Sequence, residues 1–295
     1  MKKILSFLSL QFIALSIFAQ TVISVAGYQA YAWIPANFSS TTIYPGAIFF
    51  PGLGETNGGL PALKVHGFGL YASALADSAF PIILISVQPQ SPYGIANANV
   101  QAIINAVRAL YPNMGKLYGS GLSLGGGEWQ NFIWGGESNF KQLAGVFLFS
   151  SETPTCPPYG TAVVTPSYFL TDSSFYYGGV GTADAFYNSL PNSMLAEYTG
   201  IKAQSPYYTP YLDTWSGIGH GDPVWSNGYN PAWKSPTMGM SIYRKIMQLA
   251  PAYSKSPPPV TPVVPVPPVT PPVTTPKTIK SILVTYSDGS TLSLP

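Results

Sequence analysis

Three short apolar runs constrain this chain most: Ala47-Ile48-Phe49-Phe50, Ile82-Ile83-Leu84-Ile85-Ser86-Val87 and Ala144-Gly145-Val146-Phe147-Leu148-Phe149, each bounded by turn residues. A strand with one wet face alternates polar and apolar residues. A continuous apolar run has no wet face, so these segments predict strands covered on both sides. Tyr168-Phe169-Leu170 reads as a fourth strand. Between the second and third runs, Val100, Ile103, Ile104 and Val107 recur at helical spacing within Asn99 to Leu110. Strands alternating with helices predict an α/β fold, a mainly parallel sheet with helices on both faces. Val22 to Val25 and Tyr31 to Ile34 read as an antiparallel hairpin on its edge.

The two ends of the chain differ from this pattern. Lys2 and Lys3 precede an apolar stretch from Ile4 to Phe18, and the small Ala19 follows, which is the layout of a cleavable secretory signal. We therefore expect residues 1–19 to be removed on export, leaving a secreted or extracytoplasmic protein with no stable membrane span. Residues 254–276 hold ten prolines among 23 residues and predict an extended polyproline-type linker. In residues 277–295, Ile282 to Tyr286 and Thr291 to Leu294 flank Asp288-Gly289, which predicts a short hairpin tail. A lone hairpin is marginal in water, so the tail is expected to dock on a partner. The globular domain is then residues 20–253.

Of 13 Lys and Arg, two lie in the signal, so the remaining basic residues balance the 11 Asp and Glu. A neutral chain lacks the positive excess that phosphate backbones require, and nucleic acid is not an expected partner. Cys156 is the only cysteine, so no intramolecular disulfide forms, and it reads as a small buried hydrophobe. With two histidines and one cysteine, no metal-ligand spacing occurs, and neither a metal nor a cofactor is expected.

Leu117 to Ser120 leads into Gly121-Leu122-Ser123-Leu124-Gly125, followed by a helix-compatible stretch to Trp134. This is the G-x-S-x-G strand-to-helix turn, so sharp that small residues must lie two positions either side of the serine, whose hydroxyl it leaves exposed. A serine hydroxyl needs a base to take its proton. His220, in Gly219-His220-Gly221-Asp222 beyond the strand-like Tyr211 to Trp215, stands where the chain order Ser, acid, His puts that base. His66 precedes the nucleophile and reads as structural. For the acid that orients the imidazole, Asp172 after the fourth strand is the first choice. Asp184 is the rival, with Ser173 to Gly181 looping back to present it; Asp213 and Asp222 read as turn or capping residues. The oxyanion donors are expected to be the backbone N–H of Leu124 and that of Leu53, in the glycine turn Pro51-Gly52-Leu53-Gly54-Glu55.

These motifs resemble the secreted esterases of the α/β-hydrolase superfamily, in the branch of phospholipase/carboxylesterase-like and polyhydroxybutyrate depolymerase-like proteins. The resemblance spans Ala47 to about Tyr243 and rests on five segments: Phe49 to Glu55, Lys64-Val65-His66-Gly67, Ile85 to Gln90, Gly121 to Gly126, and Gly219 to Trp225. It implies an α/β-hydrolase fold and a serine carboxylic-ester hydrolase. The family carries His where Pro51 stands, and sets its acid in a G-x-x-D turn that Leu170-Thr171-Asp172-Ser173-Ser174 does not reproduce; Ser174 stands where the carboxylate is expected. The substrates implied are small esters or acyl and feruloyl esters of polysaccharides, with Trp129, Tyr176, Tyr177, Trp215 and Trp225 available for stacking or packing. The alternative reading is a catalytically weak binding or cell-surface protein on the same fold.

Overall fold

The computed structural model describes residues 19–35, 38–75, 80–91, 94–151, 174–189, 193–250, 282–285 and 291–294. The chain divides into two compact units, Met1–Pro257 and Pro258–Pro295. The first carries an eight-stranded sheet in the order β1-β2-β4-β3-β5-β6-β7-β8. Its strands are β1 (Ala19–Val25), β2 (Tyr28–Ile34), β3 (Tyr44–Phe50), β4 (Ile83–Val87), β5 (Met114–Leu122), β6 (Gly145–Phe149), β7 (Phe175–Gly181) and β8 (Tyr211–Trp215). β1 and β2 form the antiparallel edge hairpin, β2 runs antiparallel to β4, and from β4 to β8 every pair is parallel.

Alternation along the buried strands divides the core in two. Ile48 and Phe50 of β3, Ile83 and Ile85 of β4, and Val146 and Leu148 of β6 face one side. There they meet Val100, Ile103, Ile104 and Val107 of α4 (Asn97–Leu110), Trp129 and Phe132 of α5 (Leu124–Trp134), and Met194 and Ile201 of α8 (Met194–Ala203). Ala47, Phe49, Leu84, Phe147 and Phe149 face the other side. That layer holds Phe68 of α2 (Gly67–Leu70), Tyr229 of α9 (Val224–Tyr229) and Ile242, Tyr243 and Ile246 of α10 (Ile242–Leu249). Short helical turns complete the connections: α1 (Gly59–Ala62), α3 (Ala72–Leu75), α6 (Glu137–Phe140) and α7 (Ala185–Asn188).

The apolar runs therefore became the central strands, and the 100/103/104/107 stripe the buried face of α4. The expected strand Tyr168–Leu170, Asp172 and Cys156 lie outside the described residues, as do the expected signal up to Phe18 and the proline-rich linker. The segment Ser173 to Gly181, expected as a loop, departs from that reading: Phe175–Gly181 is β7, buried throughout between β6 and β8. Ser174 heads this strand, its hydroxyl donating to the Leu143 carbonyl at 2.9 Å. β7 looks like a loop in sequence because it contains Gly178, Gly179 and Gly181. Each is small because a neighbour fills the space: Leu212 beside Gly178, the Phe149 ring beside Gly179, and the Ile218 carbonyl beside Gly181.

In the second unit, β9 (Ile282–Thr285) and β10 (Thr291–Leu294) pair antiparallel, Thr285 opposite Thr291. Among the described residues no helix is long and apolar enough to cross a membrane.

Candidate active site

β5 ends at Leu122 and α5 begins at Leu124, so the single residue Ser123 makes the whole turn. It does so at φ 50° and ψ −122°, a left-handed conformation an L-residue adopts only when its surroundings impose it. Its N–H donates to the Phe149 carbonyl at 2.9 Å, and its carbonyl accepts from Gly127 N–H at 3.1 Å. The flanking glycines are sterically required. A Cβ on Gly121 would lie 2.5 Å from the Gly125 carbonyl carbon, and one on Gly125 would strike the Phe50 carbonyl.

The loop after β8 brings His220 over this turn. Its Nε2 lies 2.8 Å from Ser123 Oγ, and its Nδ1 lies 3.0 Å from Asp184 Oδ2. Asp184 follows β7 directly, and its other oxygen accepts the Phe186 N–H at 3.0 Å as the cap of α7. Burial pushes the Asp184 carboxyl up, but the hydrogen bonds from His220 and the Phe186 N–H outweigh it and hold the group below its usual range. A carboxylate kept ionised there accepts from Nδ1–H, which leaves Nε2 as the proton acceptor facing Ser123. The imidazole is held between two rings, with Phe186 at 5.1 Å and Trp225 at 5.3 Å between centroids, both edge-on.

Of the two carboxylates weighed from sequence, Asp184 contacts His220, and Asp172 lies outside the described residues. It sits in Gly181-Thr182-Ala183-Asp184, a G-x-x-D turn immediately after a strand. That signal was present in the sequence, and the loop reading of Ser173 to Gly181 hid it. Asp222 does serve as a cap, Oδ1 accepting Ser226 N–H at 2.9 Å. Asp213 does more than shape a turn: it is buried in β8 and accepts from Tyr177 Oη at 2.8 Å and Thr237 N–H at 3.0 Å.

Ser123 and His220 open on a cavity of about 660 Å³, walled on one side by Gly52, Leu53 and Gly54. Leu53 opens a 3-10 turn running to Glu55, and its side chain is exposed at the mouth. Leu124 is the first residue of α5, where a helix offers its N–H no carbonyl one turn back. Gln88 pins the glycine turn from beneath, Nε2 donating to the Glu55 carbonyl at 3.0 Å and the Thr56 carbonyl at 2.7 Å.

His66, read from sequence as structural, stands beside the site. It lines the same cavity, with Nδ1 2.5 Å from Glu55 Oε1 and its ring edge-on to Trp225 at 5.1 Å. Sequence placed His66 and Glu55 in two of the segments that carry the resemblance, but their pairing needs the folded turn. Of the aromatics considered for the mouth, Trp225 alone reaches the cavity. Trp129 stacks on Phe50 in the core, Tyr176 and Tyr177 are buried, and Trp215 stacks on Trp233.

No family model and no curated protein matches the chain. Solved structures do match. Esterase 2 of the planctomycete Thermogutta terrifontis, phosphonylated by cyclosarin, aligns over 78% of this chain and 91% of its own with 18% identity and a TM-score of 0.50. Its butyrate-bound and propionate-bound forms align with 18% and 17% identity, both at a TM-score of 0.51, over 78% of this chain and 91% and 92% of theirs. The chain has the α/β-hydrolase fold. The strand order, the elbow after β5 and the histidine loop after β8 are the parts of that fold that bring Ser123 and His220 together.

Proposed function

We propose that the chain is a serine carboxylic-ester hydrolase with Ser123 as nucleophile, His220 as general base and acid, and Asp184 as the orienting carboxylate. The observation that carries this reading is the unbroken relay from Ser123 Oγ through His220 to Asp184, at 2.8 and 3.0 Å, on a strained elbow open to a cavity. In the first step the Oγ proton moves to Nε2 as Oγ bonds to the ester carbonyl carbon. The oxyanion that forms is met by the N–H groups of Leu53 and Leu124. Collapse then breaks the bond to the leaving oxygen, which takes the proton from Nε2. Water repeats the sequence on the acyl-enzyme, releasing the acid and free Ser123.

The solved esterases that share the fold support the reaction class, and their butyrate and propionate complexes favour short acyl groups as the first to try. Export through residues 1–19 and action on esters of extracellular polysaccharides belong to the same proposal, with the hairpin tail as a docking element. The alternative reading, a catalytically weak binding or cell-surface protein, rested on a doubtful acid, the proline-rich linker and the hairpin tail; the Asp184–His220 contact speaks against the first of these.

The deciding measurement is hydrolysis of p-nitrophenyl butyrate by the purified protein and by Ser123→Ala, His220→Ala, Asp184→Asn and Asp172→Asn. Turnover should vanish in the first two, fall roughly 10³ to 10⁴-fold in the third, and persist in the fourth. Wild-type turnover no faster than that of folded Ser123→Ala across several short esters would sink the esterase reading.

A further inference from the structure

Across Trp225 from His220 stands a second imidazole that the ester chemistry above does not use. His66 and His220 pack edge-on against the same indole, at 5.1 and 5.3 Å between centroids. Glu55 is buried and takes His66 Nδ1 at 2.5 Å, so the ring cannot turn to present that nitrogen elsewhere. The remaining nitrogen, Nε2, lies 3.8 Å from Asp222 Oδ2. That separation is too long for a direct hydrogen bond, yet one oxygen atom can reach both at ordinary hydrogen-bond distance. Asp222 Oδ1 is already committed to the Ser226 N–H, which leaves Oδ2 directed to this gap.

The charges decide what fits. The hydrogen bond and charge of Glu55 and the charge of Asp222 together outweigh burial and raise the His66 pKa, favouring the imidazolium, in which Nε2 is a donor. One donor and one acceptor 3.8 Å apart match a hydroxyl group placed between them, which accepts from Nε2–H and donates to Oδ2. A methylene satisfies neither, and an ether oxygen satisfies only one.

Which half of an ester reaches this point follows from the reaction. The leaving oxygen must collect its proton from His220 Nε2, so the alcohol half lies on the His220 side of Ser123. Trp225 and then His66 continue that wall. We infer that His66 and Asp222 form a hydroxyl-recognising subsite for the alcohol half of the substrate, which makes the preferred substrates esters of polyhydroxy alcohols. Glu55 is the positioning residue that holds His66 in place. This inference rests on the esterase reading and narrows its substrate class.

The test is a series of ω-hydroxyalkyl acetates, with two to six carbons in the alcohol, each compared with the alkyl acetate of the same chain length. The readout is the ratio of kcat/KM within each pair, in which any shared loss of catalysis or of folded protein cancels. In the wild type the ratio should peak at one chain length, by about tenfold for a hydrogen bond to a charged group. The peak should flatten in Asp222→Ala, whose lost cap on the Ser226 N–H is a shared loss that cancels in the ratio, and in His66→Phe. A flat ratio at every length, a peak surviving in both variants, or a hydroxyl preference found only with ω-hydroxyacyl ethyl esters would overturn it. Failure of the esterase reading looks different: no acetate is then turned over faster than by Ser123→Ala.

Discussion

Ser123 holds its hydroxyl at the cavity only by staying at φ 50°, and a non-glycine residue in so sparsely populated a region is strained by about 1–3 kcal/mol. The cost is offset by the surrounding contacts: its N–H bonds to Phe149, its carbonyl to Gly127, and the close approach of α5 to β3 at Gly125 leaves no other path. The strain can be measured apart from the hydroxyl. Ser123→Ala and Ser123→Gly both remove the hydroxyl, but only glycine accepts positive φ without a Cβ penalty. Urea denaturation should therefore find Ser123→Gly more stable than Ser123→Ala by about 1 kcal/mol, against glycine's usual entropic disadvantage. If alanine is the more stable, the elbow is not strained.

At the scale of elements, the site depends on how closely the loop after β8 packs on the end of β7. A Cβ at Gly181 would run into the Ile218 carbonyl, backbone of the loop that carries His220 two residues later. Gly181→Ala should cost about 1–3 kcal/mol as an overpacking change. It should also lower kcat beyond any loss of folded protein, because relief requires the loop to move; active-site titration against a slow-turnover acylating agent separates the two. The same strand marks the limit of what could be read from sequence. β3, β4, β6 and α4 were legible because their burial is written as apolar runs or a helical stripe. β7 was not, because Phe175 to Gly181 owes its position to space left by Leu212, Phe149 and Ile218, and three glycines in sequence look like a turn. Asp184 was the less favoured acid for the same reason: with Phe175 to Gly181 taken as a loop, the carboxylate after it does not stand at a strand end. Ser123 and His220 were legible as motifs, whereas the partnership of His66 with Glu55, eleven residues apart, exists only once the glycine turn has folded.

For the molecule as a whole, the pH dependence of stability should be dominated in one window by a carboxyl group remote from this chemistry. Glu197 of α8 is fully buried where α5, β7 and α8 meet, and receives hydrogen bonds from Gln130 Nε2 at 2.5 Å, Trp134 Nε1 at 3.1 Å and Tyr176 Oη at 3.1 Å. Three donors favour the carboxylate, but burial opposes it more strongly and raises the pKa from 4.5 to about 8. Between those values the folded state holds a proton that the unfolded chain has released. Stability linked to this group therefore falls as pH rises through that window, with a slope of at most about 1.4 kcal/mol per pH unit, and levels off on either side. Glu197→Gln keeps the shape and cannot ionise. The stability of wild type minus that of Glu197→Gln, from urea unfolding at pH 5, 6.5 and 8, should decline steadily across the series. A difference that stays constant would mean that the three donors win and Glu197 is ionised throughout. In that case the junction of α5, β7 and α8 is held by a charged hydrogen-bond network rather than by a neutral acid.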